Sequence, residues 1–478
     1  MPRREQSLSA QPGGTRPAAR VNPGRAAVYA RLAAEAGRYP DLALEPLELR
    51  GVAERDQALA HAIYDAALRR WITIRQLARV HLRQPWEQLE PAVVGALLGG
   101  AAQLLFFDRV PPHAALDETV EWTKSAAPRA AGLVNAVLRR ISELIEREPT
   151  GEPRRASAWT NSRDEVPLAE GSALRLGAAC LPEEQLARAA AAAGIPLWQV
   201  RHWADHLGED DAVHAAWHSI GAGPTVLNVQ AAREAPAGGR VLQHRAPGHM
   251  VFTGSRAELL SLLARHPDVW VQDSTSAAAV SLLEGSGPGP IIDLCAGRGT
   301  KTRQLLARFP NARIVACEVS EPRLGDLRSL AAGSAGRLEA RYPPEILGAL
   351  RSRCDVVVAD VPCSNSGVLA RRVEARHRCS PRQLARLTAQ QKEILAGAVS
   401  LLRPGGQLLY STCSLEPEEN QQIAAWLVAA HGLSLAREHL ILPDGGPGRP
   451  PSEYRDGGYA ALLVRPSAQS PVSVAGIH

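Results

Sequence analysis

Residues 356–364 read Val356-Val357-Val358-Ala359-Asp360-Val361-Pro362-Cys363-Ser364, and residues 407–414 read Gln407-Leu408-Leu409-Tyr410-Ser411-Thr412-Cys413-Ser414. In each, a short β-branched or apolar run leads into a turn that carries a cysteine. Such runs read as buried strands of a parallel sheet. Both thiols then sit just past strand C-termini, where open α/β sheets place their ligand crevice. Two thiols and a carboxylate, Asp360, at one sheet edge point to covalent chemistry.

Outward from these strands, apolar runs alternate with helical patterns from about Trp270 onward, which predicts βαβ units. Pro290-Ile291-Ile292-Asp293-Leu294 and Arg313-Ile314-Val315-Ala316-Cys317-Glu318 are further strands, and helices are expected over 301–309, 322–330 and 387–402. After the first of these strands comes a turn with two glycines, Cys295-Ala296-Gly297-Arg298-Gly299-Thr300-Lys301. Glycine permits positive φ and close backbone approach to a ligand. The turn is neither G-x-G-x-x-G nor a phosphate loop. Glu318 ends the next strand, where a carboxylate can accept both hydroxyls of a ribose. Adenosine recognition without a diphosphate motif points to S-adenosylmethionine rather than NAD or ATP, although a Rossmann-like sheet with an incidental glutamate fits the same residues.

Towards the N-terminus, residues 1–25 are rich in Pro, Gly, Ser and Arg and are expected to be disordered. Residues 26–147 carry helical spacing without a strand signal, which predicts an all-α domain. Residues 148–180 read as a polar linker and 181–255 as a small α+β segment, with the sheet domain over 256–468. Trp198, Trp203 and Trp217 read as packing residues.

The 478 residues allow several domains, and a net charge of +5 permits a nucleic-acid partner without demanding one. The longest apolar stretch, Pro91 to Phe107, is interrupted by Gly95, Gly99, Gly100 and Gln103 and falls short of the ~20 residues a membrane helix needs. The opening Arg3-Arg4-Glu5 lacks a signal-peptide core, so a cytoplasmic location with no membrane partner is expected. Seven cysteines without a C-x-x-C pair predict free thiols and no metal site. Only Lys124, Lys301 and Lys392 are lysines in a chain otherwise supplied with arginine, which favours a specific role for Lys301 in the turn.

Two cysteines suit one reaction in particular. C5 of cytosine is a poor nucleophile until a thiolate adds at C6. The adduct must then lose its C5 proton and expel the thiol, which calls for a second group acting as base. A carboxyl near N3 stabilises the ring during addition. Cys413, Cys363 and Asp360 can fill these three roles.

The segments D-L-C-A-G-R-G-T-K-T, D-V-P-C-S-N-S-G-V-L and Y-S-T-C-S-L-E-P-E-E-N, with Asp456-Gly457-Gly458-Tyr459-Ala460 as a closing strand, resemble RNA (cytosine-5) methyltransferases of the RsmB/Sun type. Leu104 to Glu121 and Gly132 to Arg140 resemble the NusB-like helical fold, an RNA-binding module. The likeness runs over roughly residues 26 to 465. It implies an all-α NusB-like N-terminal domain and an α/β Rossmann-like methyltransferase domain that uses S-adenosylmethionine. It further implies RNA, small-subunit rRNA first, as partner, and an RNA-contacting role for residues 181–255. We expect the chain to act as a monomer. By the same resemblance Cys413 is the nucleophile and Cys363 assists release, with Asp360 between cofactor and base. Lys301 matches the motif lysine and joins the catalytic set. Cys295, Ala296, Gly297, Arg298, Gly299, Thr300 and Lys301 would wrap the methionine end, Glu318 the ribose, and Glu339 the adenine. Gln272-Asp273 match the start of the catalytic domain.

The chain departs from the family's A-P-G-G turn, which reads Gly297-Arg298-Gly299-Thr300 here. A β-branched Thr300 is awkward if that position needs positive φ. Glutamates 318 and 339 stand for the usual aspartates, and residues 370–377 lose the proline of R-R-H-P-D-x-K-W. A DNA cytosine-5 methyltransferase and a non-catalytic RNA-binding or assembly factor are the competing readings.

Overall fold

The structure, a computed structural model, describes residues 21–42, 46–285 and 289–467. Most of the stretch expected to be disordered, residues 1–20, lies outside them, and the first helix already starts at Pro23. The described residues form two units. One comprises 21–38, 46–67 and 77–144; the other comprises 39–42, 68–76, 145–285 and 289–467.

The N-terminal helical run supplies α1 (Pro23–Ala36), α2 (Glu54–Arg69), α3 (Trp71–Arg79), α4 (Pro91–Phe106), α5 (Pro112–Ala126) and α6 (Ala131–Leu144). Asn22 caps α1 by accepting from Gly24 N and Arg25 N at 2.9 and 3.2 Å. The glycines that interrupt the apolar run of α4 serve helix packing. A Cβ on Gly95 would lie 2.6 Å from Ala33 N and one on Gly99 2.6 Å from the Tyr29 ring, so only glycine lets α1 come this close. Residues 68–76, read as part of one helical domain, belong to the second unit. Arg70 donates to Ala192 O at 2.7 Å and to Pro167 O, and Thr73 Oγ1 donates to Ala191 O at 2.7 Å.

Residues 148–180, expected to be a linker, hold a three-stranded antiparallel sheet of β1 (Arg155–Ala156), β2 (Glu165–Pro167) and β3 (Ala173–Arg175) in the order β1-β3-β2. Its strands are too short to show alternation. Next come α7 (Gln185–Ala193), α8 (Leu197–Leu207) and α9 (Glu209–His218). Trp203 is buried among them; Trp198 and Trp217 are half-buried. A four-stranded sheet follows, built from β4 (Thr225–Asn228), β5 (Val241–Gln243), β6 (His249–Phe252) and, after α10 (Arg256–Arg265), β7 (Trp270–Val271). The boundary read at 255/256 cuts this sheet, because β7 pairs with β4 through Leu227 and Val271.

The remaining elements are α11 (Ser274–Ser281), β8 (Ile291–Asp293), α12 (Thr300–Arg308), β9 (Ile314–Cys317), α13 (Glu321–Ala332), β10 (Leu338–Arg341), α14 (Pro343–Leu347), β11 (Cys354–Asp360), α15 (Ala375–Arg378), α16 (Pro381–Leu401), β12 (Leu402–Thr412), α17 (Gln421–His431), β13 (Ser434–Ile441) and β14 (Gly458–Val464). The seven strands form one sheet in the order β10-β9-β8-β11-β12-β14-β13. The first five are parallel, and β14 runs antiparallel to both neighbours. Side-chain alternation divides its core into two layers. Val357, Ala359, Leu408 and Tyr410 pack against α16 and α17, while Val356, Val358 and Leu409 pack against α12 and α13. No described helix is long and apolar enough to cross a membrane.

Two stability measurements check this account. Gly95→Ala should destabilise the protein by about 1–3 kcal/mol or more in denaturant unfolding, because the added methyl meets backbone. Gly132→Ala, whose Cβ meets nothing within 4 Å, should be neutral or slightly stabilising. His377 is buried with Nε2 donating to Leu68 O at 2.8 Å, and burial pushes its pKa down to about 3. The unfolded chain protonates this ring near 6.5 while the folded protein keeps it neutral, so acid favours unfolding. Stability should fall between about pH 6.5 and 3, with His377 contributing about 1.4 kcal/mol per pH unit. His377→Gln should flatten that slope.

Candidate active site

Strands β11 and β12 pair in parallel with Asp360 opposite Ser411, so the chain leaves both at the same level. The turns that follow bring Cys363 Sγ to 3.1 Å from Cys413 Sγ. Asn365, in the left-handed region at φ 62°, stitches the turns together. Its Nδ2 donates to Cys363 O at 2.9 Å, and its Oδ1 accepts from the Cys413 thiol at 3.2 Å. The hydrogen bond with Cys413 and then burial hold the Cys363 pKa well above the ordinary thiol value, with Glu419 adding to the effect.

Asp360 Oδ2 receives the Lys301 ammonium at 2.8 Å, and its Oδ1 accepts from Ser411 Oγ at 2.7 Å. Lys301 Nζ also reaches Ser276 Oγ at 3.3 Å. Burial works against the charge on Lys301, but the Asp360 carboxylate outweighs it, and the lysine pKa is raised. Lys301, Asp360, Ser411 and Cys413 line a cavity of ≈ 140 Å³ together with Asp273 and Asp456. Cys363 does not line this space; it lies against the Cys413 sulfur that does. Asp273 caps α11 by accepting from Thr275 N at 2.9 Å; burial and the Asp456 carboxylate push its pKa up to about 6. Gln272 serves packing, bonded to Asn228, Trp270 and Gln304.

The glycine turn joins β8 to α12. Thr300 was expected to strain it, but positive φ falls on Gly297 (58°) and Gly299 (84°), and Thr300 is the first residue of the helix. Arg298 points away to pair with Asp326 at 2.7 Å. Burial raises the Cys295 thiol pKa. Glu318 is buried at the end of β9, with Oε1 accepting from Val319 N and Ser320 N at 2.9 and 2.8 Å. Its Oε2 is 3.9 Å from Arg323. A nucleoside suits this set, since that second oxygen can accept from hydroxyls. A Cβ on Gly297 would meet nothing within 4 Å, so the backbone there is open to a ligand. Glu339 is not gathered into the site; it stands exposed on the outer strand β10, bonded to Arg341 Nε at 2.9 Å.

Sequence reasoning missed the support beneath the thiols. Glu419 is buried and accepts from Ser364 N (2.9 Å), Ser364 Oγ (2.5 Å) and Gln391 Nε2 (3.0 Å). Gln391 Nε2 also donates to Pro362 O at 2.9 Å, and Tyr410 OH bonds Glu419 O. Burial raises the Glu419 pKa. The only signal was the acidic pair in E-P-E-E-N, five residues of sequence that name no partner.

Both parts of the chain are similar to known proteins. The family model "16S rRNA methyltransferase RsmB/F" matches residues 280–444, and that of the NusB family matches residues 27–143. The Ribosomal RNA small subunit methyltransferase B of Citrobacter koseri is 29% identical over 450 residues, covering 90% of this chain and 96% of its own. The protein of the same name from Vibrio cholerae is 28% identical over 435 residues, covering 88% and 92%. Among solved structures, PH0851 aligns with a TM-score of 0.63 at 20% identity, covering 92% of this chain and 98% of its own, a likeness of fold. Residues 280–444 thus carry a region of the 16S rRNA methyltransferase RsmB/F type, and residues 27–143, earlier in the sequence, a region of the NusB type.

Proposed function

We infer that the chain methylates C5 of a cytosine in small-subunit ribosomal RNA and that Cys413 is the nucleophile. The observation that carries this reading is the contact of two thiols, 3.1 Å apart, beside the Lys301–Asp360 pair. The names of the relatives supply the substrate class. S-adenosylmethionine, when bound, supplies an electrophilic methyl group. Residues 295–301 would hold its methionine end and Glu318 its ribose, while Glu339, exposed and bonded to Arg341, stands outside this set. The altered turn gives no reason against binding, because its two left-handed positions are glycines.

Cys413, which lines the cavity, adds as thiolate to C6 of an unpaired or flipped cytosine. Negative charge then develops on the ring, and the Lys301–Asp360 pair lies where it can be offset. Cys363 keeps its proton at rest because its sulfur is hydrogen-bonded to Cys413. Once the Cys413 sulfur is bonded to carbon, that hold is gone. With that contribution removed Cys363 can lose its proton to water, and its thiolate then takes the C5 proton of the methylated ring as Cys413 leaves. We further propose that the protein works in the cytoplasm as a monomer, and that residues 181–255 contact RNA.

Cys413→Ala should reduce transfer of labelled methyl to 16S rRNA to background; equal labelling by the variant would sink the mechanism. Cys363→Ala should still attack but release slowly, leaving an RNA–protein adduct that survives denaturing electrophoresis. A duplex DNA substrate should go unlabelled throughout. Glu419→Gln removes a charge that accepts from the Cys363 turn, so kcat should fall by roughly tenfold or more with cofactor affinity retained.

A further inference from the structure

Three ligand-type atoms converge at a place the chemistry above does not use. His202 Nε2, on α8, stands 3.0 Å from Glu418 Oε2 and 3.5 Å from Glu416 Oε2. All three atoms lie within 4.8 Å of one another. The two glutamates flank Pro417 in the short turn that follows Cys413-Ser414-Leu415.

Glu416 is fully buried, at 0% exposure. Its Oε1 accepts from Trp203 Nε1 at 3.0 Å and Gln199 Nε2 at 3.2 Å. Its Oε2 is also buried, has no hydrogen-bond donor among the described residues, and faces His202. A buried carboxylate oxygen left in this state is costly. One N–H on His202 can serve Glu418 at 3.0 Å but leaves the Glu416 oxygen unmet. A cation equidistant from all three atoms serves every one of them. Metal–ligand bonds of 2.0–2.2 Å in a tetrahedron put ligand atoms about 3.3–3.6 Å apart, close to the two short edges seen here.

We propose that His202, Glu416 and Glu418 bind a divalent transition metal, zinc first, through one imidazole nitrogen and two carboxylates. That donor set suits zinc, cobalt or manganese. Gln199 and Trp203 orient Glu416 from behind, as partners outside a metal's ligands commonly do. His202 and Glu418 also line a cavity of ≈ 380 Å³ with Trp198, Thr388 and Lys392, which gives the ion an entry path and water a remaining position. The ion would tie α8 to the turn just beyond Cys413. The expectation of no metal rested on the absence of cysteine pairs, and this donor set contains no cysteine.

The full-length protein, stripped with EDTA, is titrated with Co²⁺ and then Zn²⁺. We expect one equivalent of Co²⁺ to give visible d–d absorption that Zn²⁺ displaces, and Zn²⁺ to raise the unfolding temperature. His202→Gln and Glu418→Gln, both at partly exposed positions, should weaken binding by more than about tenfold. His206→Gln should bind as the parent does. The proposal is overturned if the parent shows no saturable binding, or if both variants bind as the parent does. A His202 ring that still titrates in the presence of Zn²⁺ by NMR overturns it as well, identifying a proton as the shared partner. Binding is read without any methyl transfer, so this result stands apart from the catalytic one.

Discussion

The pairing of β11 with β12, with Asp360 set opposite Ser411, is the constraint on which the site depends. Because the strands are parallel neighbours and end level, the two following turns emerge side by side. A slip of one residue would turn every side chain of one strand to the other face. Val357 and Leu408 would then leave the layer they share with α16. The apolar packing that fixes the register therefore also fixes the distance between the sulfurs.

Around that contact the protein spends buried charge with restraint. Lys301 holds Asp360, and Glu419 holds the backbone of the Cys363 turn; each charged group meets several partners. A compact ammonium suits the narrow gap between Asp360 and Ser276, where the broad fork of a guanidinium would need more room and more acceptors. This accounts physically for a lysine in a chain that otherwise uses arginine.

The strands β8, β9, β11 and β12 were legible in the sequence because buried parallel strands are written as nearly unbroken apolar runs. So were Asp360, Cys363 and Cys413, which sit at or just past the ends of those runs, whereas Lys301, in the first turn of α12, stood out through the scarcity of lysine. The edge strand β13 escaped notice because most of its side chains are exposed and mix charge with leucine. The small sheet at 155–175 escaped because two- and three-residue strands have no period to read. Glu419 looked like one acidic residue among several, since its partners Ser364 and Gln391 are near it only in the fold. Thr300 misled in the opposite direction. Its β-branch counts against it only at positive φ, and the turn bends one residue earlier.

The sulfur–sulfur contact also bears on what a titration of this enzyme reports. Two acids in hydrogen-bond contact at 3.1 Å ionise as a coupled pair, so a macroscopic constant from a rate profile belongs to the couple and to neither member. Replacing one cysteine then leaves a partner with an ionisation it never had in the parent. Its reactivity measures a new molecule, and no subtraction recovers the share it held before.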